Sequence, residues 1–317
     1  MTTILRRVIR MLSFMSVAAI AISASGATIL SEDFDDGGGV NSVFNFTNSE
    51  GQQAVVMSGG PTGNFARLTH LSPFSVNSLA FDLVPRTPSG GLTISFDFRM
   101  TDDAANQAAG SALLEAADGL GIGLFDSNLF PTTGPLNPML FWEDPRSDAP
   151  AGSVVMGFDI FDLGGSGGND VRMTGLGGAA ELLAAPAAPF TLNSNVFHHA
   201  TWSFRDIGND AMMSLVLVED VNGAAVVHNL LAGILVPGFD LDTFTGRLIL
   251  GARTGSAYTD GDVDNVLITP EPQTFLLLTM GLLGMVLWSR TAVVGRAQTQ
   301  AISASYGRRR ELTPAPR

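Results

Sequence analysis

The sequence predicts an all-β protein, an antiparallel two-sheet jelly-roll sandwich, and three observations predict it. Apolar, strand-like runs recur along the chain between Gly, Pro, Asn and Asp. Several runs alternate with period two: Ile94, Phe96 and Phe98 share one face, and Thr93, Ser95, Asp97 and Arg99 share the other. Within residues 28–269 helical pattern is confined to an Ala-rich stretch, 103–117, and to one turn inside the loop 175–189.

The runs follow in order. Ala54–Ser58, Phe65–His70 and Leu92–Arg99 come first. Leu120–Phe125, Met139–Trp142 and Val154–Phe161 occupy the middle. His199–Phe204, Met213–Val218, Gly246–Gly251 and Val263–Ile268 close the series. Turn signals separate most of them, and a sandwich of this length is ordinarily one domain. Trp202 and Phe204 alternate with Thr201, Ser203 and Arg205, which places Trp202 in the core.

Both ends read as addresses. Arg6, Arg7 and Arg10 precede an apolar run from Met11 to Ile22, and Ser23–Ala27 follows. A basic region, a short apolar region and small residues make a signal peptide, residues 1–27, cleaved after Ala27. The run is short for a bilayer, which needs about 20 apolar residues. At the other end Pro270-Glu271-Pro272 precedes the apolar stretch 275–288, and Arg290 follows it. As a helix that stretch spans about 21 Å, and Arg290 suits the cytoplasmic side. A basic tail, 291–317, completes the chain and leaves 28–269 as the sandwich.

Composition limits the partners. The chain has 317 residues, a net charge of −13 and no cysteine, so disulfides and Cys-ligated metals are excluded. Residues 28–269 carry 28 acids against 8 arginines, a balance of −20. Such a body repels phosphate backbones, which argues against nucleic acid, and any glycan ligand should be neutral or calcium-bridged.

The segment Pro270–Arg290 resembles the PEP-CTERM sorting signal of Gram-negative bacteria. The resemblance implies recognition and cleavage by an exosortase-type enzyme, transit through the membrane by 275–288, and a link to exopolysaccharide. Members of that family usually end soon after the basic cluster, whereas this chain runs on for 27 residues past Arg290.

Three patches in the body resemble the concanavalin-A-like lectin and glucanase superfamily. Ala117-Asp118-Gly119-Leu120 is similar to a strand entry of L-type lectins, and Gly157-Phe158-Asp159-Ile160-Phe161 to their Glu-Phe-Asp-Thr-Phe strand. Phe197–Phe204 resembles a strand of laminin-G-type modules. The resemblance implies Asp118 as a sugar ligand and Asp159 as a calcium ligand. Gly157 stands where those lectins carry a metal-binding Glu, and Val171-Arg172 where they carry a His, so their transition-metal site is absent. A galactose-binding-type jelly roll is the alternative, since Glu32-Asp33-Phe34-Asp35 and Val263–Val266 also suit its edges.

Calcium takes six to eight oxygens, and three acidic clusters are candidates for a structural site. They are Asp260, Asp262 and Asp264 with Asn265; Glu32 and Asp35 with Asp36; and Asp159, Asp162 and Asp170 with Asn169. Period two turns Asp264 inward with Val266 and Ile268. Solvated turn residues are the competing reading of every cluster. Trp142 and Tyr258, with Asp118 and Gly119, are the candidate carbohydrate contacts, the aromatics as exposed stacking platforms.

No enzyme is expected. Retaining glucanases need two carboxyls about 5 Å apart. Glu occurs in the body only at 32, 50, 115, 143, 181 and 219, and none forms Glu-x-Asp-x-Glu. Gly164–Gly168 matches G-x-S-x-G only inside a glycine run. The expectation is therefore an exported surface or matrix protein that binds carbohydrate without catalysis. A purely structural matrix protein is the alternative, and a glycoside hydrolase is the third reading.

Overall fold

The computed structural model describes residues 29–35, 43–46, 54–70, 74–84, 90–102, 118–161, 168–221, 223–255 and 259–270. The signal peptide with Ala27, the segment 271–317 with Glu271, Pro272 and Arg290, and Asp162 and Tyr258 lie outside them. So do the Ala-rich stretch 103–117 and most of the run 164–168. No helix among the described residues is long and apolar enough to cross a membrane.

Among the described residues, fifteen strands form two antiparallel sheets. The strands are β1 Leu30–Glu32, β2 Val43–Phe46, β3 Val55–Ser58, β4 Asn64–Arg67, β5 Val76–Val84, β6 Gly91–Asp102, β7 Gly119–Asp126 and β8 Ser153–Asp159. Then come β9 Asp170–Thr174, β10 Leu182–Ala184, β11 His198–Asp206, β12 Ala211–Val221, β13 Ala224–Val236, β14 Gly246–Arg253 and β15 Thr259–Pro270. One sheet runs β13-β12-β11-β6-β15-β4-β3, with β1 also paired to β15; the other runs β10-β9-β8-β7-β14-β5-β2. Glu32 pairs with Val266, so the two ends of the body meet in one sheet.

The core lies between the sheets and follows the period-two pattern. Leu92, Ile94, Phe96, Phe98 and Met100 point inward from β6, and Ala200, Trp202 and Phe204 from β11. They meet Leu120, Ile122 and Leu124 of β7, Val154, Met156 and Phe158 of β8, and Leu248 and Leu250 of β14. Phe98 and Phe158 stack with ring centroids 4.6 Å apart. Each such side chain contributes about 1.5–3 kcal/mol of burial.

Strands β7, β8 and β14 do not alternate, because both of their faces are covered. Segment 127–152 lies over the outer face of this seven-stranded sheet and builds a second core. There Phe125, Val155 and Ile249 of the sheet meet Met139 and Trp142 of the segment. Met139–Trp142, expected as a strand, is irregular; its apolar residues report burial, not extension. The short helix α1, Pro145–Asp148, follows, with Asp144 accepting from the backbone of Arg146.

Two devices seat the segment. Gly157, Gly121 and Gly251 stand side by side across β8, β7 and β14. A Cβ at Gly251 would lie 2.0 Å from the Trp142 ring, and one at Gly121 would lie 2.2 Å from the Trp142 carbonyl. One at Gly157 would lie 2.3 Å from the Glu143 carbonyl. The row is a trough that only glycine leaves open. Arg247, fully buried, donates from Nη1 to Pro131 O (2.9 Å) and from Nη2 to Gly134 O (2.8 Å). Its Nε donates to Phe81 O (2.7 Å), which ties the segment to β5.

Candidate functional site

Two register rows beyond the glycines, on the same face, Asp159, Gly119 and Arg253 stand side by side on β8, β7 and β14. Asp170 of β9 pairs with Asp159 and extends the row. Glu143 and Asp144 enter from the covering segment, and Asp118 stands immediately before β7. The sequence-expected Asp118, Gly119, Asp159 and Asp170 are therefore neighbours at one end of this sheet. Gly119 has no room for a side chain, since a Cβ would lie 2.0 Å from the Phe158 carbonyl.

Two arginines organise the acids. Arg253 Nε lies 3.3 Å from Asp118 Oδ2, its Nη1 donates to Glu143 Oε1 at 3.0 Å, and its guanidinium lies 4.2 Å from the Phe141 ring centroid. Arg172 ion-pairs with Asp159, with Asp144 (3.1 Å) and with Asp170 (3.0 Å). Burial pushes the Glu143 carboxyl up to about 8; the Asp118 charge adds to this, and Arg253 opposes it. The Glu143 Oε2 has no hydrogen-bond partner. Burial raises Asp118 and Asp170, and pushes Asp159 up to about 6 against the pull of Arg172.

Among the described residues, the acidic clusters are engaged by arginines and backbone amides. At Asp159 and Asp170 the Arg172 guanidinium occupies the point where the carboxylates converge. Asp262 accepts from Arg67 Nε (2.8 Å) and Arg99 Nη2 (2.7 Å), and Asp260 pairs with Arg67 Nη1 (2.6 Å). Glu32 caps the Phe34 amide, and Asp35 accepts from the Asn64 amide. Among the described residues no group of three His, Cys, Asp or Glu side chains is placed to hold a metal.

Asp264 corrects the period-two reading. Val263 pairs with Phe98 on the core side, but Asp264 pairs with Asp97 on the outer side. A bulge follows at Asn265, φ 50°, and restores Val266 and Ile268 to the core. The turn at Gly60–Asn64 buries the outward Asp264, and burial pushes its carboxyl up to about 6. Asn265 links Thr62 to Asp97, which in turn contacts His199 Nδ1 at 2.7 Å.

Trp142, expected as an exposed platform, is fully buried on the glycine row, and its indole donates to Asn137. It cannot stack on a sugar while seated there. Pro270 ends β15. Sequence reasoning missed Arg172, Arg253 and Glu143. The visible signal was scarcity: the body has eight cations against 28 acids, and Arg67, Arg99, Arg146, Arg172 and Arg253 each pair with an acid.

Segment 127–152 fills the outer face of the seven-stranded sheet above the glycine row. Ser194 Oγ lies 2.5 Å from His198 Nε2, but His198 Nδ1 accepts the Asp220 amide (3.4 Å). With Nδ1 accepting, Nε2 carries the proton and donates to the serine oxygen.

Comparison with known proteins places the fold. No family model matches the chain, and no curated protein matches it. Lectin I from Ulex europaeus is similar at 14% identity and a TM-score of 0.52, covering 77% of this chain and 98% of that one. Arcelin-5, a lectin-like defence protein from Phaseolus vulgaris, is 13% identical with a TM-score of 0.51, covering 78% and 100%. The Lotus tetragonolobus seed lectin is 14% identical with a TM-score of 0.51, covering 78% and 100%. At these identities the likeness is one of fold: the body is a legume-lectin-like sandwich.

Proposed function

We propose that the chain is an exported surface or matrix protein whose sandwich binds a neutral carbohydrate without catalysis. The observation that carries this reading is Asp118-Gly119 at the strand-end cluster of a lectin-like sandwich, with Arg253 and Phe141 beside it. The similar structures add support, because Ulex lectin I is described in complex with the methyl glycoside of α-L-fucose and lectin UEA-II with galactose. The surplus of acids favours a neutral polymer. Export rests on the sequence of the ends: cleavage after Ala27, then membrane transit and exosortase-type processing directed by 270–290, toward exopolysaccharide.

A glycan array, together with retention on the exopolysaccharide of the host, tests binding. Neutral glycans should bind, and Asp118→Ala should abolish the binding. No binding to any glycan would overturn the reading. The secreted form should begin at Thr28, and deletion of Phe275–Arg290 should change its localisation. A structural matrix role is the second reading, favoured by the exposed apolar edge strand β13.

A further inference from the structure

The outer face of the larger sheet carries a group of side chains that the strand-end cluster does not use. The register of β15 against β6 shifts between Asp264 and Leu267, and Asn265 stands in that bulge at φ 50°. Non-glycine residues held there are costly, and they concentrate at functional sites. A bulge re-aims a side chain, and this one brings Asn265 to the same outer face as Asp264. The turn between β3 and β4 lies against both. A Cβ at Gly60 would lie 2.6 Å from Asp264 Oδ2, so glycine is what lets the turn approach.

Thr62 of that turn donates from Oγ1 to Asn265 Oδ1 at 2.9 Å, and the same Oγ1 lies 3.4 Å from Asp264 Oδ2. Asn265 Nδ2 donates to Asp97 Oδ2 at 2.7 Å, and His199 Nδ1 stands 2.7 Å from the other oxygen of Asp97. The amide is thus gripped at both its oxygen and its nitrogen. Asp264 is fully buried and accepts from the backbone amides of Asn265 and Thr62. Arg67 and Arg99 are taken up by Asp260 and Asp262. A hydroxyl, a carboxylate within its reach and an amide fixed beside both are the parts of an acyl transfer.

We propose that Thr62 and Asn265 join covalently as an ester, with Asp264 as the base. Asp264 Oδ2 takes the hydroxyl proton as Thr62 Oγ1 bonds to Asn265 Cγ. The Cγ–Nδ2 bond then breaks, the proton passes to the nitrogen, and ammonia leaves. One hydroxyl and one amide become one ester and one ammonia, with no oxidant and no other reactant. Thr62 is exposed, so the ammonia departs into solvent. The two residues are 203 apart in sequence, in a chain without cysteine. The ester ties the β3–β4 turn to the last strand and, as a disulfide does, restricts the unfolded chain. The reaction is independent of what the strand-end cluster binds.

Peptide mapping of the purified full chain by mass spectrometry tests this. The peptides carrying Thr62 and Asn265 should appear joined, lighter than their sum by one ammonia. Neutral hydroxylamine, which cleaves esters, should separate them. Thr62→Val keeps the shape without the nucleophile; its peptides should stay separate and its melting temperature should fall below that of the wild type. Thr62→Ser should restore the joined pair, and Asp264→Asn should lose it. If Asp264→Asn fails to fold, the exposed Thr62 variants decide the matter. Separate wild-type peptides of unaltered mass would overturn the proposal, as would conversion of Asn265 to Asp without a join. A joined pair that resists hydroxylamine or persists in Thr62→Val would equally overturn it.

Discussion

Glu143→Gln should abolish a pH dependence of stability that the wild type shows between pH 6 and pH 8. Glu143 is enclosed by the carbonyl-lined glycine row, with Asp118 and Arg253 facing it and Asp159 close by. The folded chain holds this proton up to about pH 8, whereas the unfolded chain releases it near 4.5. Between those values the unfolded state binds fewer protons, so stability falls as pH rises. The whole displacement corresponds to about 5 kcal/mol, at about 1.4 kcal/mol per pH unit. Asp159 contributes with the same sign only up to about 6. The interval from 6 to 8 therefore isolates Glu143, with a loss of about 2 kcal/mol. Burial lowers His198, which acts with the opposite sign, but equally in both proteins. Urea unfolding of both proteins at pH 6 and pH 8 measures the difference. Glutamine keeps the shape and the neutral state, so its curve should be flatter and its stability higher at pH 8. Equal pH slopes in the two proteins would show that Glu143 is ionised in the fold, balanced by Arg253, and would refute the argument.

Three further outcomes follow from the same region. Gly251→Ala places a methyl inside the Trp142 ring and should cost about 3 kcal/mol, with red-shifted tryptophan emission on a fluorimeter. Arg247→Met removes the guanidinium that ties Pro131 and Gly134 to β5; a loss of about 3 kcal/mol should appear as a lower urea midpoint. A chelator should leave the melting temperature of the wild type unchanged, whereas Arg172→Gln, which leaves three carboxylates facing one another, should lower it in calorimetry.

The fold was legible where one face is wet. In β6 and β11 apolar residues alternate with polar ones, and the strands fall where the pattern puts them. Strand β5 escaped notice because Asn77 and Ser78 look like loop residues, yet both are buried and donate to the carbonyls of Leu68 and Leu136. Met139–Trp142 misled because an apolar run reports burial without saying by which structure. The placement of Asp118 and Asp159 at the ends of β7 and β8 was legible from their local patches. Their partners were not, because Arg253 and Glu143 are 110 residues apart and meet only through the register of three strands. At Asp264 a single bulge residue reversed the face that counting assigned.

The glycine row has a consequence for the ancestry and redesign of this molecule. A strip of bare backbone across three strands is a floor wide enough for an extended guest, and here the guest is the chain's own Trp142–Glu143. Segment 127–152 behaves as a tethered occupant, held at one end by Arg247 and at the other by the arginine-bound acids. Its length, more than any residue on the sheet, sets whether the sandwich carries a groove. Shortening it between those two anchors would turn a packed surface into an open channel without altering a single strand.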